Sequence, residues 1–447
     1  MPGDDCEVRA LPRGLLDSTY REPSYGFSVD MGSSTLRTHL VHIPSKTVVA
    51  GASVDSPLNT IGLDVVTRLR FAAKNADARK TTVFLLRRGV RSLLETALAS
   101  AEVSHDDVGR ILVAGNTAVH HLFFDYPTDT LLEAPYRAQR RGAVRVRAGD
   151  VNLPFVCDVW SPPIVESYVG SDLVSVLVEL EHRPVSRPTL VMDVGVNTEI
   201  AVLTDEGTWV SSAPSGPAFE GMSMECGVPA RTGAITDVRI EIDRKGANIG
   251  FETLGNDAPI GISGCGAVSL VAEMVRRGIV TRDGSLSLRA PAVTEVGGVK
   301  RFTIVPQEQS ARDGGIYLTQ VDLRMLQLSK AAVAAAVMTV LRHARLRPEE
   351  VRTMVLAGAF GAYLSLADAT EIGLLPSLAK PQVLRIPEVV LEGLDRMLTD
   401  EDARARSISL ASSISYVDLS SDEEFDVLLA RLRLFAPLSV DEFRIVE

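Results

Sequence analysis

Cysteine is scarce in this chain of 447 residues: only Cys6, Cys157, Cys226 and Cys265 occur, far apart. No pair has CxxC spacing and none joins histidines at zinc spacing, so neither a disulfide framework nor a metal knuckle is encoded locally. A reduced, cytoplasmic compartment is the expectation. Apolar runs of about 18 uninterrupted residues are missing too, and the first 24 residues are charged and proline-bearing where a secretory leader needs an apolar core. No membrane partner is expected. Nor is there a basic excess: the formal charge is −11, which gives no footprint for nucleic acid, whose phosphates must be neutralised by clustered Lys and Arg. What is present is 46% hydrophobic residues, enough to build real cores, in a length that suits about three domains.

Four segments share one grammar, a run of β-formers ending abruptly in Gly and small polar residues, as a buried strand entering a tight turn does. YGFSVDMGSSTLRTHLVHI (25–43) and TLVMDVGVNTEIAVL (189–203) read as strand, Asp-x-Gly turn, strand. RILVAGNTAVHHLFF (110–124) and VRTMVLAGAFGAYLSL (351–366) read as strand, Ala-Gly turn, helix. This order predicts a duplicated α/β unit with a nucleotide cleft between its halves. The second half is the longer, so an insertion is placed around 236–325, with one hairpin turning on Lys245-Gly246 and another in VGGVKRFTIVP. Helices are predicted over 83–101 and, Ala-rich, over 321–346. Two prolines in HRPVSRP (182–188) break both periodicities, and the last segment reads as a strand followed by a helix capped near Ser420 or Ser421. The resulting plan is an extension over 1–24, a first half over 25–185 and a second over 186–447.

A turn of the Asp-x-Gly type suits phosphate, because Gly and small residues bring backbone N–H groups close to anionic oxygens while the Asp orients a hydrated Mg²⁺. Two such turns facing each other would bracket the β- and γ-phosphates. AGNT (114–117) and AGAFG (357–361) are strand ends where Gly lets backbone pass close to a ligand, though Gly115 reads equally as a plain turn. Glu220, the lone carboxylate of SGPAFEG, either touches Mg²⁺ or the attacking water, or serves as a cap or surface ion pair. His120 and His121 diverge by about 100° on a helix and are a poor metal pair. Cys226 and Cys265 read as buried hydrophobes rather than cluster ligands, and Met222 and Met224 as core filler.

With these residues in hand, the chain resembles the ATP-dependent reductive activators of corrinoid proteins, within the acetate and sugar kinase, Hsc70 and actin superfamily. The likeness runs from about Tyr25 to Phe435 and rests on AGNTAVHHLF, GPAFEG, LTQVDLRMLQLSKAA (318–332), LAGAFGAYL and IGLLP, with LNTIGLDVVTRL (58–69) and YVGSDLVS (168–175) as further segments. It implies an actin-like, Hsc70-like ATPase of two RNase H-like halves. It also implies ATP and Mg²⁺ as cofactors and a corrinoid protein or methyltransferase as partner. Because the iron–sulfur domain of such relatives is expected to be missing, no iron–sulfur cluster is expected and the electron would come from a separate ferredoxin-like donor; a homodimer is left open. On this reading Asp30 and Asp193 hold Mg²⁺ through water and, with Glu220, are catalytic. Gly32, Ser33, Ser34, Thr35, Gly195, Asn197, Thr198 and Gly216 hold phosphates, while Gly358, Ala359, Phe360 and Gly361 lie near adenosine. The sequence departs from the relatives at Val196, Thr198, Ser269, Pro387 and Glu388, which keeps open a nucleotide-sensing protein without turnover. A small-molecule kinase of the same superfamily is the third reading.

Overall fold

The computed structural model describes residues 23–244 and 246–438. The expected N-terminal extension, with Cys6, and Lys245 of the expected hairpin turn fall outside these residues, apart from Pro23 and Ser24. Strand β1 (Tyr25–Met31) is buried on both faces except at its start and at Asp30, which is why a continuous apolar run encodes it. It pairs antiparallel with β2 (Thr35–His42), itself paired with β3 (Thr47–Asp55), and parallel with β4 (Val108–Ala114). With β5 (Val144–Arg147) and β6 (Asp158–Ser161) they form a sheet ordered β3-β2-β1-β4-β6-β5.

A second sheet starts alike, with the hairpin of β7 (Thr189–Val194) and β8 (Thr198–Leu203), then β9 (Thr208–Ala213). Two small sheets follow, built from β10 (Ala234–Asp243), β11 (Gly246–Thr253) and β12 (Gly261–Ile262), then β13 (Val293–Val296), β14 (Val299–Val305) and β15 (Ile316–Thr319). The chain returns through β16 (Thr353–Ala357), parallel to β7, with β17 (Gln382–Ile386) outside it and β18 (Ser415–Tyr416) on the far edge. The central trios β2-β1-β4 and β8-β7-β16 are therefore equivalent. Each sets a hairpin's Asp-Gly turn beside the end of a parallel strand carrying Ala-Gly.

The first half carries α1 (Val65–Ala72), α2 (Ala76–Ala101), α3 (Thr117–Phe124) and α4 (Ser171–Leu180). Helix α2 starts seven residues before the predicted Val83, because the Asn75 side chain accepts the amide of Ala78 and caps it there. The second half carries α5 (Gly264–Arg276), α6 (Gln320–His343), α7 (Gly358–Tyr363) and α8 (Leu366–Glu371). Then follow α9 (Val389–Thr399), α10 (Glu401–Ser413) and α11 (Phe425–Arg431). Thr319 and Asp322 close a capping box at the start of α6. Among the described residues α6 is long and apolar enough to cross a membrane, but 83% of that stretch is buried inside the protein, where its alanines let it lie close to β8 and β9. The predicted cap of the last helix is corrected: α11 starts only at Phe425. Ser420 and Ser421 instead donate their hydroxyls to the side chain and carbonyl of Asp418, closing the preceding turn.

Each half has its own core, and a third core joins them. In it Leu112, Leu173 and Val174 of the first half pack with Val191, Val355 and Leu394 of the second. Helix α9 crosses α4 and reaches β1 and β4. At the crossing a Cβ on Gly393 would stand 2.0 Å from the carbonyl oxygen of Ser175. Gly→Ala inside a helix otherwise gains up to about 1 kcal/mol, so the sign of the change reports this contact. Gly393→Ala is expected to destabilise the protein by roughly 2 kcal/mol or more in denaturant unfolding.

Candidate functional site: an acidic cleft between two Asp-Gly hairpins

The turns joining β1 to β2 and β7 to β8 face one cavity of about 410 Å³. In the first, a Cβ on Gly32 would lie 2.6 Å from the carbonyl oxygen of Thr35, so the turn needs glycine there. Asn116, at the N-cap of α3, donates from Nδ2 to the Ser33 hydroxyl at 2.9 Å. In the second, the amide of Val196 donates to Glu220 Oε1 at 3.0 Å, and Asn197 Nδ2 donates to Glu199 Oε1 at 2.8 Å. At the Ala-Gly end of β16, Gly358 has φ of +70°, and a Cβ there would meet Asp193 Oδ1 at 2.7 Å. Backbone thus comes close at Gly32 and Gly358, two positions where a side chain would clash.

Of the predicted residues, Asp30, Gly32, Ser33, Ser34, Thr35, Asp193, Gly195, Asn197, Glu220, Gly358, Ala359 and Phe360 line this cavity together. Thr198, Gly216 and Gly361 stand behind it. Thr198 is fully buried with its hydroxyl on Ser215, Gly216 donates its amide to the Val196 carbonyl, and Gly361 packs against Leu356. Glu220 is neither a helix cap nor a surface ion pair; it faces the cleft. Met222 also lines the cavity, half-buried, whereas Met224 is in the core. His121 bonds the carbonyl of Thr117 through Nδ1, and burial pushes His120 down to about 3 and His121 to about 4, so both are neutral. Cys265 reaches the cleft edge, but burial pushes its thiol up to about 12. Cys226 is buried against the Gly315 carbonyl.

Sequence reasoning missed Arg37, Asp172 and Glu199, all of which line the cavity. Glu199 had a signal: it is the one charged residue in TEIAVL, a strand buried throughout. Asp172 had none, since an Asp in the first turn of a helix reads as a dipole partner; its Oδ1 does accept the amide of Leu173. Pro387 and Glu388 line the cavity as well, whereas Ser269 is turned away, bonded to Asp237 and the amide of Val238.

The carboxyls are poorly compensated. Burial pushes Asp30 up to about 6, with Arg37 opposing and Glu388 adding; burial likewise pushes Asp193 to about 6, with Asp30 adding and Arg37 opposing. Asp172 is pushed to about 8 by burial and by the charges of Asp30 and Asp193, against the amide of Leu173. Burial, then Asp172 and Asp193, raise Glu199 well above the usual range. Such a set fits a divalent cation. Among the described residues no three His, Cys, Asp or Glu gather closely enough to ligate a metal directly. A ligand with oxygens fits too, since the Ser34 hydroxyl is buried at the cleft wall without a partner.

Comparison with known proteins gives two family models in tandem. "RACo middle region" matches residues 25–183, and "C-terminal domain of RACo the ASKHA domain" matches residues 187–445. The corrinoid activation enzyme RamQ of Eubacterium limosum is 26% identical over 415 residues, spanning 90% of this chain and 69% of that protein. The [Co(II) methylated amine-specific corrinoid protein] reductase of Methanosarcina barkeri is 25% identical over 394 residues, 80% of this chain and 66% of that one. The solved structure of a reductive activator for corrinoid, iron-sulfur protein superposes with a TM-score of 0.85 at 26% identity, over 96% of this chain and 68% of its own. This chain thus spans about two thirds of each relative, and the fold is that of the actin-like ATPases.

The raised carboxyls carry a linkage. A carboxyl whose folded pKa exceeds its unfolded value keeps its proton in the fold, so stability is full below about pH 4 and is lost as pH rises toward the folded value. Without divalent ions, Asp172→Asn is expected to be more stable than the native chain by roughly 2 kcal/mol at pH 8, with the difference vanishing near pH 4 in thermal unfolding.

Proposed function

The chain belongs to the RACo family described by those two models, and on that premise we propose that it is an ATP-binding, ATP-hydrolysing activator that couples nucleotide binding to the reduction of a corrinoid protein. The relatives' names, a corrinoid activation enzyme and a corrinoid protein reductase, support the corrinoid partner, whether a corrinoid protein or a cobalamin-dependent methyltransferase. The observation that carries the nucleotide is the pair of Asp-Gly turns facing across one acidic cavity. In this reading the chain divides near 182–188, and the turns at Gly32–Thr35 and Gly195–Asn197 hold the phosphates. The backbone at Gly358 to Phe360 lies along the nucleoside, with Thr198, Gly216 and Gly361 supporting from behind. Asp30 and Asp193 would hold a hydrated Mg²⁺, whose charge would offset that of the phosphates. Water attacks the terminal phosphorus in line, ADP leaves with the phosphate released, and the water's proton passes to one of the carboxylates lining the cleft. Glu220 acts on the second turn through the Val196 amide. A ferredoxin-like donor is proposed as the source of the electron, and hydrolysis gates the docking of the partner through closure of the cleft.

Two observations favour a second reading, a nucleotide sensor without turnover. The Val196 amide is already occupied by Glu220, and Glu388 adds a further carboxylate to the cavity.

Calorimetry with Mg·ATP and steady-state hydrolysis with a Co(II) corrinoid protein separate these. We expect millimolar or tighter ATP binding, partner-stimulated turnover, and a fall in turnover of roughly 100-fold or more in Asp193→Ala. Failure of ATP and ADP to bind at millimolar concentration rules out the nucleotide reading; binding without hydrolysis at any partner concentration leaves the sensor.

A further inference from the structure

The largest wholly buried side chain in the described residues is a cation, Arg68, 1% exposed on α1. It stands behind the first hairpin turn and does not line the cavity. Nη1 donates to the carbonyl of Ser33 at 2.6 Å, Nε to the carbonyl of Gly62 at 2.8 Å, and Nη2 to Asn59 Oδ1 at 2.8 Å. Asn59 then donates from Nδ2 to the carbonyl of Ser34 at 3.1 Å, an oxygen that the Ser56 amide also reaches at 2.8 Å. The carbonyls of Ser33 and Ser34 are therefore both pulled toward α1 and the segment before it.

In a trans peptide the C=O of one residue and the N–H of the next point in opposite directions. Drawing the Ser33 and Ser34 carbonyls back thus turns the amides of Ser34 and Thr35 the other way, and both residues line the cavity. Two adjacent amides so turned make a small anion-binding concavity. A guanidinium behind it also adds positive charge to a site otherwise crowded with carboxylates. Burial pulls Arg68 down to about 10, with Glu220 and Asp64 opposing, so it stays charged at neutral pH. The planar fork satisfies three acceptors at fixed angles, which a lysine ammonium on a flexible stem does not reproduce.

We propose that Arg68 is the positioning residue of the nucleotide site: it fixes the first turn so that the Ser34 and Thr35 amides bind the polyphosphate, and it provides the buried charge that makes an anion welcome there. This rests on the nucleotide reading above. It makes LNTIGLDVVTRL, a segment with no evident chemistry in the sequence, the underside of the phosphate site.

Calorimetry of the full chain with Mg²⁺ and ATP, ADP or AMP tests it, using Arg68→Lys and Asn59→Ala. The expected result is a loss graded by phosphate number: ATP weakened roughly 10- to 100-fold, ADP less, and AMP within about twofold, since a misaligned donor costs affinity only where an anion uses it. Equal losses for AMP and ATP, or ATP affinity within about twofold of the native chain in a folded Arg68→Lys, overturn the role. Should Arg68→Lys fail to fold, Asn59→Ala, which leaves the guanidinium in place, decides by the same grading. If the native chain binds no ATP, the nucleotide reading falls first and this inference with it; if it does and the variants match it, only the role of Arg68 falls.

Discussion

Holding several carboxyls around two glycine turns, with little positive charge among them, is the constraint on which the rest of this structure depends. Asp30, Asp172, Asp193 and Glu199 all sit above their ordinary pKa because burial and mutual repulsion disfavour their charges. A flexible frame would relieve that repulsion by spreading apart. This frame cannot readily do so, because Asp30 and Asp193 lie near the ends of central strands, each flanked on both sides by hydrogen-bonded neighbours. The apolar third core then fixes the two sheets against each other beneath the cleft. The repulsion is thus held by packing some distance away, which is what the cation binding proposed above would draw on.

The joint between the halves is built differently from the cleft. At α4 and α9, Glu179 is nearly buried and meets both Arg183 and Arg396, while Arg183 also reaches Glu392. Here every charge has an opposite. Such part-buried networks contribute little net stability over apolar packing, but they disfavour any other register of the two helices. Beside them His39 of β2 bonds Asp395 of α9 at 2.7 Å, with Glu388 at 3.6 Å. Burial pulls this histidine down, but the two carboxylates prevail and raise it. Glu388 therefore belongs both to the cavity wall and to the joint. A charge at the cavity wall thus also sits at the contact between the halves, as the coupling proposed above requires.

Much of this was legible in the sequence, for a definite reason. Central strands buried on both faces need long apolar runs, and tight turns at ligands need glycine, so both hairpins and both Ala-Gly ends stand out in one dimension. Asp172 and Arg68 do not. The first resembles any acidic residue near a helix start, the second any arginine on a short helix, and only the fold places one in the cavity and the other behind a turn. The error at Ser420 and Ser421 has the same origin: a serine before an amphipathic segment fits a cap, but Asp418 two residues earlier competes for the hydroxyl and wins locally. Side chains whose role is set by a distant partner leave no periodicity to read.

These observations set an order on binding. On the nucleotide reading proposed above, a polyphosphate entering the cleft would meet several carboxylates, with Arg37 and Arg231 as the lining cations, so repulsion at short range in a partly desolvated site would be severe. A divalent cation reverses that balance. It is attracted to the same carboxylates, lowers their pKa by stabilising the charged forms, and in doing so drives off the protons that burial had retained. On the proposed reading, nucleotide and metal would therefore enter as one species, with proton release as the accompanying event. The carboxylates whose burial weakens the fold at neutral pH are thus the groups that, on the proposed reading, would favour the metal–nucleotide complex over the nucleotide alone.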